Sequence, residues 1–122
     1  MAARSTKPET VMEMSLVELG IAYEKQVGRL PGTPDFVIKD SSVAVFVHGC
    51  YWHRHDCPDG NAPTRKFDIF AQMRRNFGVE RDSSVQAKLN ELGYTVFVAW
   101  ECDLKRSRSE VASILARLIS KN

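Results

Sequence analysis

The sequence has little of what would send it out of the cell or staple it covalently. It holds three cysteines, an odd number and too few for a disulfide framework. No apolar run approaches the ~18 residues of a membrane span. The N-terminal stretch MAARSTKPET lacks the apolar core of a secretory signal. There is no internal repeat, no linker and no low-complexity segment. Charge is close to balance: 17 Lys and Arg against 15 Asp and Glu leave a net of +2. Such mild basicity permits a nucleic-acid partner without arguing for one. These absences predict one domain over residues 1–122, in a reducing cytoplasm and with no membrane contact.

What is present is concentrated in Val43–Cys57, VAVFVHGCYWHRHDC. It opens as an apolar β-rich run and stops at Gly49. Then two of the three cysteines, all three histidines and one of the two tryptophans follow within His48–Cys57. This reads as a buried strand delivering chemistry to a surface loop.

Around it the chain reads as α-β-β-α-β-α. Thr6-Lys7-Pro8-Glu9 has capping-box spacing, Val11 to Leu19 recur at helical spacing, and Gly20 suits the position after a helix. That predicts a helix over about 7–19. Ile21–Val27 is short and extended. Leu30–Pro34 is a rigid turn, and Asp35–Ile38 and Val43–Val47 form an antiparallel hairpin across Lys39–Ser42. Two helical stretches follow, one around Phe67–Phe77 and one over Asn76–Leu92, closed by Gly93. Tyr94–Trp100 is the clearest strand. Ser107-x-x-Glu110 is a second capping box, opening a terminal amphipathic helix with Val111, Ile114, Leu115, Leu118 and Ile119 on one side. The class is an α/β sandwich around a small mixed sheet.

Cys50, His55 and Cys57 offer soft or borderline donors at C-x₄-H-x-C spacing. Cys102 directly follows the second strand. If the two strands are neighbours, their exits adjoin and the four residues can form a closed Cys₃His zinc set, a structural rather than catalytic arrangement. The plainer alternative is three buried thiols and a surface histidine. Asp35, at the head of the neighbouring strand, can hold Mg²⁺ together with the backbone carbonyl of Val47, and a nearby histidine can serve as base. The plainer alternative there is a turn or cap residue.

The chain resembles the very short patch repair (Vsr-type) DNA mismatch endonucleases. The matching pieces are T-K-P-E at 6–9, L-P-G-x-P-D-F-V at 30–37, V-F-V-H-G-C-Y-W-H-R-H-x-C at 45–57, V-E-R-D at 79–82 and L-G-Y-x-V-x-V-x-W-E-C at 92–102. The resemblance implies a restriction-endonuclease-like fold of the PD-(D/E)XK type with a zinc-stapled loop. It implies a Mg²⁺-dependent enzyme that nicks double-stranded DNA 5′ of the T in a T:G mismatch. Residue by residue, it implies Asp35 as the Mg²⁺ carboxylate and Val47, where the family often has Thr, as the carbonyl ligand. His53 is implied as the base, Glu9 as the acid orienting it, and His48 with Asp82 as a second polar pair at the phosphate. Cys50, His55, Cys57 and Cys102 are implied as zinc ligands. Without the resemblance, Glu9 reads as a cap and Asp82 as a solvated charge.

Tyr51 and Trp52 lie between a zinc ligand and the base, where aromatics can wedge between base pairs; their alternative is to cover the zinc site or finish the core. Phe70 is a third wedge candidate. Arg65, Lys66, Arg74, Arg75, Arg81, Lys105, Arg106 and Arg108 are candidate phosphate contacts, each otherwise a solvated charge. Only five residues precede Thr6, where the family usually carries a longer arm, so a reduced mismatch-recognition apparatus is expected. Two other functions stay open: a Vsr-like nuclease of a defence or restriction system with no mismatch requirement, and a zinc-stapled DNA-binding module without catalysis. The enzyme reading predicts a monomer working beside a bacterial-type nucleoid.

Overall fold

Apolar residues run continuously through Val43–Phe46, so both faces of that strand need cover. The computed structural model, which describes residues 7–53, 55–58, 60–62 and 69–120, supplies it. The elements run α1 (Pro8–Glu18), β1 (Glu24–Lys25), β2 (Phe36–Ile38), β3 (Val43–His48), α2 (Cys50–His53), α3 (Ile69–Glu91), β4 (Thr95–Trp100) and α4 (Glu101–Ser120). The sheet order is β1-β2-β3-β4. β2 is antiparallel to β1 and to β3, and β4 is parallel to β3, in register from Val43↔Thr95 to His48↔Trp100.

Alternation along β3 and β4 feeds two cores. Val43 and Val45 join Phe36, Ile38 and Ala99 under Met12 and Leu16 of α1 and Leu104, Val111 and Leu115 of α4. Ala44 and Phe46 face the other way, toward Leu89, Val85 and Val98, so α3 covers that side. The result is a mixed four-stranded sheet between helices. Among the described residues, no helix is long and apolar enough to cross a membrane.

Helix ends follow local chemistry. Gly20 has φ +69°, and the N–H groups of Gly20 and Ile21 return to Val17 and Leu16 as a closing double turn. At the other end of α1, Lys7 is the N-cap and makes no side-chain capping bond; Thr6 lies outside the described residues. Glu9 does not close a capping box, because its carboxylate accepts a bond from Gln26 instead. Ser107 does cap. It interrupts α4 with extended backbone, and its Oγ accepts the Glu110 N–H at 3.4 Å. The two stretches expected between Phe67 and Leu92 are one helix from Ile69 to Glu91. Gly78 costs that helix about 1 kcal/mol and does not break it, since Leu89 and Val85 hold its far half on the sheet. The other element unforeseen by periodicity is α2, a single turn between strand and loop.

Leu115 is fully buried between α1 and the sheet. Leu115→Ala should lower the unfolding free energy by about 2–5 kcal/mol in urea titrations. Its exposed neighbour Ile114→Ala should change it by less than about 0.5 kcal/mol. Equal effects would show that α4 docks by another face.

Candidate active site and metal centre

The parallel register sets the first cluster. His48 and Trp100 lie opposite each other, and the chain runs two residues further from each to Cys50 and Cys102. The Cys102 N–H donates to Cys50 Sγ at 3.4 Å. The loop after α2 then folds back: the His55 N–H bonds the Cys50 carbonyl, and the Gly60 N–H donates to Cys57 Sγ. One donor atom from each of Cys50, His55, Cys57 and Cys102 lies within 4.8 Å of all the others. Cys102 Sγ and His55 Nδ1 are 3.5 Å apart. A tetrahedral ion with metal–sulfur bonds of about 2.3 Å and metal–nitrogen bonds of about 2.0 Å would hold such a pair at about 3.5 Å. The His55 ring stacks on Trp100 at 4.1 Å, which fixes the direction of its nitrogens. Burial pushes the Cys50 thiol up to about 12 and raises Cys102 as well. Both thiols are thus harder to ionise than a free cysteine, a rise that a bound cation would oppose, and four protein donors of this kind could hold one metal ion.

The second cluster lines a cleft of about 670 Å³ beside the first. β2 ends its pairing at Phe36↔Val45, so the next outward-facing amide of β3, at Val47, needs another acceptor. Asp35 provides it: the Val47 N–H donates to Asp35 Oδ2 at 2.7 Å. N–H and C=O of one strand residue leave by the same edge, so the Val47 carbonyl shares that edge with the carboxylate. Burial raises the Asp35 carboxyl above the usual carboxylate range; the Val47 N–H pulls it back, and the charge of Glu9 adds to the rise.

Across the cleft, His53 Nδ1 and Asp82 Oδ2 are 2.6 Å apart. With the proton on Nδ1 donated to Asp82, Nε2 keeps a lone pair free to act as base. The His48 ring lies flat against His53, 3.8 Å between centroids and 2° between planes. Its Nδ1 is 3.9 Å from Asp82 and has no hydrogen-bond partner among the described residues. Burial, and then the neighbouring charge of His53, push His48 down to about 4, so it is neutral at pH 7.

This pairing differs in part from the one the resemblance implied. Asp82 Oδ2 faces both histidines, 2.6 Å from His53 Nδ1 and 3.9 Å from His48 Nδ1, so it stands beside His48 as implied and nearer still to His53. Glu9 is not the partner of His53. Its Oε1 accepts from Gln26 Nε2 at 2.6 Å, and the same nitrogen lies 3.4 Å from Asp35 Oδ1. Nothing in the pattern around Gln26 marks it in the sequence.

Arg75 is not a free phosphate contact. It is buried, and its guanidinium donates to the carbonyls of Gly60 at 2.7 Å and Ala62 at 2.9 Å. Asp82 lies seven residues, two helical turns, further along α3. The loop carrying His53, His55 and Cys57 is therefore tied to one face of α3 at two points. Lys105, Arg106 and Arg108 are engaged in ion pairs with Glu101, with Asp103 and Glu110, and with Glu18. Arg74 and Arg81 line the cleft. Arg65 and Lys66 lie outside the described residues, as do the side chains of Tyr51, Trp52 and Phe70.

Residues 1–59 match the family described as DNA mismatch endonuclease Vsr. The chain is 36% identical over 104 residues to the DNA mismatch endonuclease Vsr of Escherichia coli (strain K12), covering 85% of this chain and 66% of that one. It is 36% identical over 104 residues to the type II nicking enzyme V.NmeAIP of Neisseria meningitidis, covering 84% and 73%. It is 33% identical over 117 residues to the type II nicking enzyme V.XorIIP of Xanthomonas oryzae pv. oryzae, covering 95% and 82%.

Arg75→Met keeps the bulk of the stem but strips one buried and one partly buried carbonyl of their donor. It should cost about 2–3 kcal/mol of stability and speed hydrogen exchange in the 57–62 loop ahead of the sheet. Unchanged exchange there would show that Arg75 does not hold the loop.

Proposed function

The chain belongs to the Vsr family of DNA endonucleases, and we propose that it nicks duplex DNA 5′ of the T in a T:G mismatch, with Mg²⁺ in the cleft and Zn²⁺ in the Cys/His set. The observation that carries this reading is one cleft with Asp35 and the Val47 backbone on one wall and the His53–Asp82 pair on the other.

Hydrolysis of a phosphodiester needs a nucleophile stripped of its proton and a phosphate whose charge is neutralised. Asp35 and the Val47 carbonyl are hard oxygen donors of the kind Mg²⁺ takes, with room left for water and phosphate oxygens. When bound, Mg²⁺ would supply Lewis acidity and charge neutralisation at the scissile phosphate. His53 takes a proton at Nε2 from the attacking water, and Asp82 stabilises the resulting imidazolium through Nδ1. Neutral His48 supports the ring of His53 from below without adding a competing positive charge. Arg74 and Arg81 face incoming phosphates from α3.

Cys50, His55, Cys57 and Cys102 are a closed set of soft and borderline donors. That favours zinc in a structural role, fixing the loop without an open coordination site. Tyr51 and Trp52 occupy the helical turn between Cys50 and His53, and we assign them to wedging apart the base pairs beside the mismatch. Phe70, Arg65 and Lys66 are assigned as further DNA contacts. The fold is assigned to the restriction-endonuclease-like class, and the enzyme acts as a monomer on chromosomal DNA in the cytoplasm. Relatives named type II nicking enzymes favour a second reading, a nuclease allied to a restriction system with no mismatch requirement.

End-labelled duplexes decide between them. With Mg²⁺, the protein should nick only the T-bearing strand of a T:G duplex, 5′ of the T. Equal cutting of matched DNA would select the second reading, and binding without cutting would defeat both. Asp35→Asn should abolish nicking while its amide oxygen still accepts the Val47 N–H, so its melting temperature should stay near that of the native chain. His53→Ala should slow nicking about 10²–10⁴-fold.

A further inference from the structure

Gln26 sits between the carboxylates of Glu9 and of Asp35, the second of which lines the cleft, in a backbone conformation that side chains resist. Its φ is +49°, in the left-handed region that favours glycine. It carries a full-length side chain there nonetheless. Such strain persists where the surroundings or the function hold it in place.

Three contacts use that conformation. The Gln26 N–H donates to the Asp35 backbone carbonyl at 2.9 Å, extending the β1–β2 pairing by one residue past Lys25↔Phe36. Its side-chain amide donates to Glu9 Oε1 at 2.6 Å. The same nitrogen faces Asp35 Oδ1 at 3.4 Å. One neutral NH₂ group thus bridges two acids that would otherwise repel each other. The other Asp35 oxygen is already fixed by Val47 at 2.7 Å. With both oxygens held by donors, the Asp35 carboxylate can turn neither about its own axis nor toward Glu9.

We propose that Gln26 is a positioning residue for the cleft cation: its amide, presented by a strained backbone, locks the Asp35 carboxylate toward the Val47 edge and ties it to Glu9. This rests on the assignment of Asp35 as the cation's carboxylate. A partner that only orients a ligand typically changes metal affinity by about 10–100-fold when lost. A residue kept only for the turn would behave differently, because replacing it with glycine would relieve the strain and harm nothing.

Two variants of the zinc-loaded full chain separate these cases. Gln26→Met keeps the length and removes the amide. Gln26→Gly removes the amide and the strain together. Mn²⁺ is the probe, followed by electron paramagnetic resonance, beside thermal melting and nicking at varied Mg²⁺. Both variants should bind Mn²⁺ about 10–100-fold more weakly and need correspondingly more Mg²⁺ for half-maximal nicking. Gln26→Gly should melt no lower than the native chain. If Gln26→Gly binds Mn²⁺ as tightly as native protein, Gln26 is a turn residue and the inference falls. Asp35→Ala distinguishes the levels. If it still binds Mn²⁺ and nicks, the assignment of Asp35 fails and takes this inference with it. If it loses both while the Gln26 variants keep both, only the role of Gln26 is overturned.

Discussion

The parallel ladder between β3 and β4 is the constraint on which the rest of the molecule depends. A parallel pair cannot be joined by a tight turn; it needs a long crossover, usually helical. Here that crossover contains α2, the Cys/His loop and α3, so one topological requirement places the chemistry. The ladder ends level at His48↔Trp100. Cys50 and Cys102, distant in sequence, therefore meet just beyond it, with the Cys102 N–H on Cys50 Sγ. The crossover must also cover one face of the sheet, and in doing so α3 carries Asp82 to His53 and Arg75 under the loop.

The loop is held by several weak-to-moderate ties that act in different directions. Arg75 grips its far end through backbone carbonyls, so the grip does not depend on side chains at Gly60 or Ala62. Gly60 itself lies so close to the His55 backbone that any side chain would collide with its carbonyl. Trp100 backs the His55 ring. The four donors then converge from two strand exits and one loop. His53 is on the same short segment, one turn from Cys50, so whatever stiffens the donor set also stiffens His53 against Asp82. Electrostatics sorts the two clusters. The first is thiol-rich and half-buried, suited to a soft cation. The second sets an Asp35 carboxyl raised by burial and a neutral His48 beside an open cleft.

Much of this was legible because it rests on residue type and short-range spacing. The run Val43–Val47 announces a doubly buried strand, Gly20 a helix end, and Ser107 a cap, and each is where local chemistry puts it. The convergence of three cysteines and His55 follows once two strand ends are taken as neighbours. What escaped needs the third dimension. Arg75 reads as a surface charge until the loop folds over it. Gln26 carries no signature, since a positive φ at a non-glycine residue is set by the hairpin around it rather than by its neighbours in sequence. The stacking of His53 on His48 comes from a one-turn helix too short for any periodicity, and it sets both rings against Asp82. The continuity of α3 through Gly78 was hidden for a related reason: tertiary packing of its far half outweighs one local helix-weakening residue.

The ladder brings Cys50 and Cys102 together, and with His55 and Cys57 they make one closed set of donors. Native mass spectrometry of the purified chain tests that set most directly, read beside the Cys102→Ser variant. One zinc per native chain is expected, and its loss in the variant, although residue 102 lies 45 positions beyond Cys57. A variant that keeps zinc as fully as the native chain, or a native chain that holds none, would contradict it.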